Sequence, residues 1–148
     1  MDTVNTSSFL QEAIKLQLDE GSQITLCVTG RSMRPYLSGN GDESIIVSKH
    51  KTEELKPGVI ILFFYNNKYI FHRIIGKKND TLVVLGDGNC VAEKTKIENV
   101  LGIVRHVIRA GGKKVSSDSF TAQVYWRIWY ILRPIRKYLL YLYNKINK

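Results

Sequence analysis

The chain is expected to fold as a mainly β domain. Its strands should form a barrel or a coiled, partly open sheet, with a short N-terminal helix before it and an amphipathic helical segment after it. Three observations lead there. Short apolar runs broken by turn residues fill residues 23–107. Residues 9–18 show apolar spacing of helical period, and residues 120–148 show it again with basic and aromatic residues interleaved. The chain has 148 residues, 44% of them hydrophobic and 24% charged. That length and composition suit one domain with a sizeable core.

Taking the elements in order, Ser7-Ser8-Phe9-Leu10-Gln11 reads as a helix start, with capping-box spacing between Ser8 and Gln11. Phe9, Leu10, Ala13 and Ile14, with Leu16 and Leu18, supply an apolar face as far as Asp19, and Glu20-Gly21-Ser22 ends it. Strands are expected near 23–28, 43–48, 59–65, 68–76, 81–85 and 100–108. Asn66-Asn67 suits a tight hairpin, because Asn tolerates positive φ. Lys77-Lys78-Asn79-Asp80 and Ala110-Gly111-Gly112-Lys113-Lys114 are further turns, the latter leading to a short edge strand or loop ending at Asp118. Pro134 should kink or divide the C-terminal helix. The chain therefore divides into residues 1–119, the β domain with its helix, and 120–148, the basic amphipathic tail.

The net charge is +9, and it is uneven: residues 120–148 hold six basic and no acidic side chains. A basic excess confined to a tail calls for an acidic partner. Tyr125, Trp126, Arg127, Trp129, Arg133, Arg136 and Lys137 are the expected contact residues. Docking on an anionic membrane surface and packing on protein, whether this domain or a partner, stand level as readings. Nucleic acid ranks below both, because the basic residues sit in one greasy helix without a recognised reader fold. The polar start of the chain lacks the basic and then apolar order of a signal peptide, and no apolar run approaches a membrane span. A cytoplasmic or peripherally membrane-associated protein is the expectation. Cys27 and Cys90 have neither metal spacing nor a disulfide framework. They are read as buried or half-buried thiols, and no cofactor or metal is expected.

The chemistry centres on Val28-Thr29-Gly30-Arg31-Ser32-Met33-Arg34-Pro35. Gly30 permits a sharp turn after a strand, and Pro35 stops the turn from continuing as a helix. A serine there has an exposed Oγ with free backbone N–H groups beside it. Such a hydroxyl becomes a nucleophile only with a base in reach. On its own this stretch is equally an ordinary polar turn. His72, in Tyr69-Ile70-Phe71-His72-Arg73-Ile74-Ile75, has the right ordinary pKa for that base.

The order of the pieces carries more than any one of them. The serine stretch is followed by Gly41-Asp42, Pro57-Gly58-Val59, Phe71-His72-Arg73, Leu85-Gly86-Asp87-Gly88-Asn89 and Leu101-Gly102-Ile103-Val104. This series, over roughly residues 22–108, resembles the signal peptidase I and LexA-like serine peptidase superfamily. The histidine followed by arginine is similar to its Ser-His branch, of archaeal and endoplasmic-reticulum type, where other members carry a lysine base. The resemblance implies a coiled, partly open β-barrel of that type and a serine endopeptidase that acts on a peptide or precursor protein through an acyl-enzyme. Ser32 would be the nucleophile and His72 the base. Glu93 occupies the position of the branch's orienting acid, with Asp87 nearly level as the alternative. Gly30, Arg31, Met33 and Pro35 would shape the turn and its oxyanion site, with Met33 packed beneath the nucleophile. The resemblance usually brings a membrane span ahead of the serine, and none of the residues preceding Ser32 could form one.

Two other readings remain open. A self-cleaving LexA- or UmuD-like regulator needs an Ala-Gly or Cys-Gly pair upstream of the serine; the Ala110-Gly111 pair lies downstream. A non-catalytic, membrane-associated or peptide-binding module on the same fold needs neither Ser32 nor His72. Of the remaining candidates, Asp42 is expected to hold a turn, Arg73 to pair with an acid, His50 to face solvent, and His106 to pack.

Overall fold

The structure, a computed structural model, describes residues 3–65 and 68–147; the side chains of residues 3–8 lie outside the description. The chain runs through α1 (Thr3–Asp19), β1 (Ile24–Thr29), β2 (Asn40–Ser48), β3 (Ile60–Tyr65), β4 (Lys68–Lys78), β5 (Thr81–Leu85), β6 (Glu93–Lys96), β7 (Val100–Ile108), β8 (Lys114–Ser116), α2 (Phe120–Ile131) and α3 (Arg136–Ile146). The strands form one open antiparallel sheet in the order β1-β2-β7-β3-β4-β5-β6, with β8 paired to β7.

β3 explains how the core is divided. Its run Ile60-Ile61-Leu62-Phe63 is buried throughout, the signature of a strand covered on both faces. Successive side chains alternate faces, so the strand feeds two clusters. Ile60 and Leu62 join Ile14 and Leu18 of α1, Val28, Met33, Tyr36, Leu37, Ile45, Val47, Val104 and Val107. Ile61 and Phe63 join Leu55, Ile74, Leu82, Val84, Val100 and Ile103. Burying each such side chain contributes on the order of 1.5–3 kcal/mol, and both faces of the sheet are used.

Several expectations are revised. α1 begins at Thr3, so Ser8 stands inside the helix where it was expected to cap it. The side chain that would make that cap lies outside the described residues, as does the hairpin turn at Asn66-Asn67; the strands on either side of it do pair, Tyr65 opposite Lys68. β6 was not anticipated. Its Glu93-Lys94-Thr95-Lys96 sequence has only Thr95 buried, so no apolar alternation announces it. Gly41 and Asp42 belong to β2, and Asp42 accepts a hydrogen bond from Ser38 Oγ at 3.2 Å. Cys27 and Cys90 are both exposed free thiols. Cys27 falls on the outward face of β1, between inward Leu26 and Val28, and the residues after the Gly86–Asn89 turn run over the surface.

The C-terminal segment is helical and divided as expected. Ser119 caps α2 by accepting from the Ala122 N–H at 3.2 Å. Pro134, which has no N–H to give, sits in a single tight turn at Arg133–Ile135 between the helices. Among the described residues no helix is long and apolar enough to cross a membrane.

Candidate active site

Ser32 lies half-buried in the turn after β1, in which Met33 and Leu37 are buried. Gly30 opens the turn at φ +94°, a conformation an L side chain resists. Leu37 N–H closes it on Met33 O at 2.9 Å, and Arg34 N–H on Arg31 O at 3.1 Å. Among the described residues the N–H groups of Ser32 and Met33 have no acceptor. They are free donors beside the hydroxyl, the requirement for binding an oxyanion. Arg31 is exposed and Pro35 half-buried at the turn's end.

His72 is on β4, opposite Ile61 of β3, and is 4% exposed. Gly86 joins it to the serine. A Cβ at Gly86 would lie 2.3 Å from Ser32 O and 3.0 Å from His72 Cδ2. Gly86 thus packs against both the Ser32 carbonyl and the edge of the His72 ring, with no room for a side chain. The Gly88 N–H donates to Ser32 O at 2.8 Å, tying the Gly86–Asn89 turn to the serine turn. Ser32 and His72 both line a groove of about 990 Å³. Its walls are β1 and residues 68–72 of β4, with Leu10, Ile14 and Gln17 of α1 at one side. Pairing of β4 with β5 begins only at Arg73, and β1 ends the sheet, so both strands present an unpaired edge to the groove.

The two candidate acids separate cleanly. Glu93 Oε2 is 3.8 Å from His72 Nδ1, with the glutamate side chain 43% exposed. That gap exceeds a hydrogen bond, and Nδ1 is left buried without a partner among the described residues. Asp87 makes its hydrogen bonds elsewhere. It accepts from Arg73 Nε at 2.9 Å and Arg73 Nη2 at 2.8 Å, both buried, and from Tyr125 Oη at 3.3 Å. Of the two acids ranked nearly level, Asp87 is committed to Arg73 and Glu93 is the one beside Nδ1. Arg73 also donates to Gly58 O at 2.8 Å and stands 5.1 Å from the centre of the Tyr36 ring.

The other ring nitrogen, His72 Nε2, lies 3.5 Å from Asn89 Nδ2. An amide donor there and a carboxylate at Nδ1 favour the tautomer with hydrogen on Nδ1 and a lone pair on Nε2. That is the form able to accept a hydroxyl proton. Ser32 Oγ itself makes no hydrogen bond to the ring among the described residues. Burial is the largest influence on the imidazole and lowers its pKa below the ordinary value; Glu93 and then Asp87 pull the other way without overcoming it. His72 is thus neutral at pH 7. Burial is the largest influence on Arg73 and opposes its charge, but Asp87, Tyr125 and Tyr36 together raise its pKa above the ordinary value. The Tyr125 phenol is pushed up, by burial first and then by Asp87.

The tail supplies parts of this region. Trp129 Nε1 donates to Asp87 O at 2.8 Å, and Tyr125 stacks on Tyr36 at 5.2 Å. Arg136, 3% exposed, donates to Trp129 O at 3.0 Å and to Asn89 O at 3.4 Å. Trp126 covers Gly58, where a Cβ would come within 2.4 Å of the indole. So of the expected contact residues Tyr125, Trp126, Trp129 and Arg136 pack on this domain, one of the two readings that stood level, while Arg127, Arg133 and Lys137 remain exposed.

Arg34 was also missed. Buried under the serine turn, it donates to Ser38 O at 2.7 Å, Asn40 Oδ1 at 3.1 Å and Asn144 Oδ1 of α3 at 3.1 Å. Its sequence neighbours gave no hint of a partner more than a hundred residues away. His50, expected in solvent, is half-buried, and burial lowers its pKa. His106 is half-buried on β7 opposite Ile46 and Ser116, apart from the groove-lining residues.

The chain matches no protein-family model and no curated protein sequence.

Proposed function

We propose that this chain is a serine endopeptidase of the signal peptidase I and LexA-like superfamily, in the Ser-His branch, on that superfamily's coiled, partly open barrel. One observation carries the reading. A serine and a neutral, buried histidine, forty residues apart in sequence, line the same groove, and a carboxylate stands on the far side of the imidazole.

In this reading a peptide or precursor protein lies in the groove as an added strand between β1 and residues 68–72 of β4. Once the Asn89 amide releases Nε2, Ser32 Oγ attacks the scissile carbonyl while His72 Nε2 takes its proton, and the resulting oxyanion is held by the free N–H groups of Ser32 and Met33. The C–N bond then breaks, and Nε2 returns the proton to the departing amine. Water attacks the acyl-enzyme by the same route in reverse. Glu93 steadies the imidazolium formed in each half, which requires its carboxylate to close about 1 Å on Nδ1 to reach hydrogen-bond length. The enzyme would work in the cytoplasm or at the periphery of a membrane.

The rival reading, a non-catalytic peptide-binding module, draws on the missing hydrogen bond between Ser32 and His72. Hydrolysis of a mixed peptide library, followed by mass spectrometry, decides between them. Cleavage by the wild type and none by Ser32→Ala is expected. Equal product patterns from both proteins, or no cleavage by either while peptides still bind, would overturn the peptidase.

A further inference from the structure

The inner faces of α2 and α3 are already occupied. Ala122, Tyr125 and Trp129 recur at three- and four-residue spacing and pack on the β domain, and Arg136 and Leu140 continue that face in α3. The opposite side of each helix is also apolar. In α2 it carries Phe120, Ile128 and Ile131, and in α3 it carries Tyr138, Leu142 and Ile146. Phe120 is 84%, Ile131 73% and Ile146 81% exposed, so these side chains have nothing of their own domain to cover them. A surface helix normally buries one stripe and solvates the other; here both stripes are greasy.

Charge says what covers the outer one. Arg127, Arg133, Lys137 and Lys145 are exposed among these residues, none of them in an ion pair among the described residues. No acidic residue occurs between 119 and 148. A second copy of this chain meeting the same face would set cation against cation. An anionic bilayer surface satisfies both halves of the pattern, with headgroups for the basic side chains and the acyl boundary for the apolar ones.

We infer that the outer face of α2 and α3 docks this protein on anionic lipid bilayers. The face ends next to the candidate active site: Cys90, which directly follows Asn89, shares a surface hollow with Tyr130, Ile131, Arg133 and Pro134. Docking would therefore hold the groove close to a membrane plane. The inference is independent of the peptidase reading, since it rests on no catalytic residue.

Removing the tail would be a poor test, because its inner face holds Asp87 and Asn89. Flotation of the full chain with phosphatidylglycerol-containing vesicles, against pure phosphatidylcholine vesicles, is the direct one. The wild type should float with the anionic vesicles alone, and binding should fall at least tenfold as salt rises from about 0.05 to about 0.5 M. Arg133→Gln with Lys137→Gln should weaken binding by about fivefold for each charge removed. Ile131→Ser with Leu142→Ser should weaken it at least tenfold, with an unchanged melting temperature in each case. Failure of the wild type to float, equal binding to both lipids, or folded variants that float like the wild type would each overturn the inference. Self-association in sedimentation velocity that these variants abolish, without vesicle binding, would overturn it in favour of a dimer face.

Discussion

His72 and Arg73 are consecutive residues of one strand, and their surroundings are opposites. On the His72 side, contacts are long: 3.8 Å to Glu93, 3.5 Å to Asn89, and a buried ring nitrogen with no hydrogen bond. On the Arg73 side, three hydrogen bonds of 2.8–2.9 Å bind the guanidinium to Asp87 and Gly58, and two tyrosine rings lie beside it. A buried charge must be paired and hydrogen-bonded or it is very costly, so the arginine is locked. A neutral imidazole tolerates slack, and slack is what a proton acceptor needs if its bonds are to tighten when substrate arrives. Arg73 is held by its bonds; His72 has the slack that the proposed proton transfer requires.

The contrast can be broken from either side. On the reactive side, Ser32→Ala and His72→Ala should each lower peptide hydrolysis by about 10³-fold or more. Melting temperatures should stay within a few degrees of wild type. Comparable activity in either variant would remove the dyad.

On the locked side, Asp87→Ala leaves Arg73 buried and unpaired. It should cost about 3–5 kcal/mol of stability, read as a melting temperature lower by about 10 °C at this chain length. A drop no larger than that of a surface substitution would mean that the ion pair does not hold the turn. Gly58→Ala should undock Trp126 and with it α2, seen as enhanced proteolysis of the tail, because the indole occupies the space a Cβ needs.

Glu93→Gln sits between the two cases. The side chain is nearly half exposed, so stability should change by no more than about 0.5 kcal/mol, while hydrolysis falls about 10- to 100-fold because the imidazolium loses its partner. The pH dependence sharpens this further. His72 must be neutral to act, and burial lowers its pKa, so the acid limb of kcat/KM should have its midpoint below the ordinary histidine value of about 6.5. Glu93 opposes that lowering, so Glu93→Gln should move the limb to still lower pH. A limb that stays in place would separate Glu93 from the base.

The same shift has a smaller effect on stability. Between the folded and unfolded pKa values the unfolded chain binds the extra proton, so stability rises with pH. The contribution of His72 is complete above about 6.5 and is lost as pH falls from there towards the folded value. In His72→Gln that dependence should flatten.

Most of the sheet was legible because its strands are apolar and bounded by turn residues, and β3 and β4 are the clearest cases. β6 was not, because four mostly exposed residues carry no period, and it happens to be the strand that delivers Glu93. The serine and the histidine could be singled out by residue type and order. The carboxylate beside the histidine could not, since two carboxylates fell at plausible distances along the chain and only the fold sends Asp87 to Arg73. The tail's helical period was plain, but an apolar stripe looks the same whether it meets its own domain or something else. Tyr125 and Trp129 turned inward because Asp87 offers them a carboxylate and a carbonyl, partners that lie about forty residues away.

The central claim is that His72 activates Ser32. The most direct measurement is the rate at which a fluorophosphonate labels the protein, with the modified residue mapped by mass spectrometry. The account predicts a single adduct on Ser32, formed at least about 10²-fold faster in wild type than in His72→Ala and slowing, as the imidazole takes a proton, only at a pH below the ordinary histidine value of about 6.5. An adduct elsewhere, or labelling of Ser32 at the same rate with and without the histidine, would contradict it.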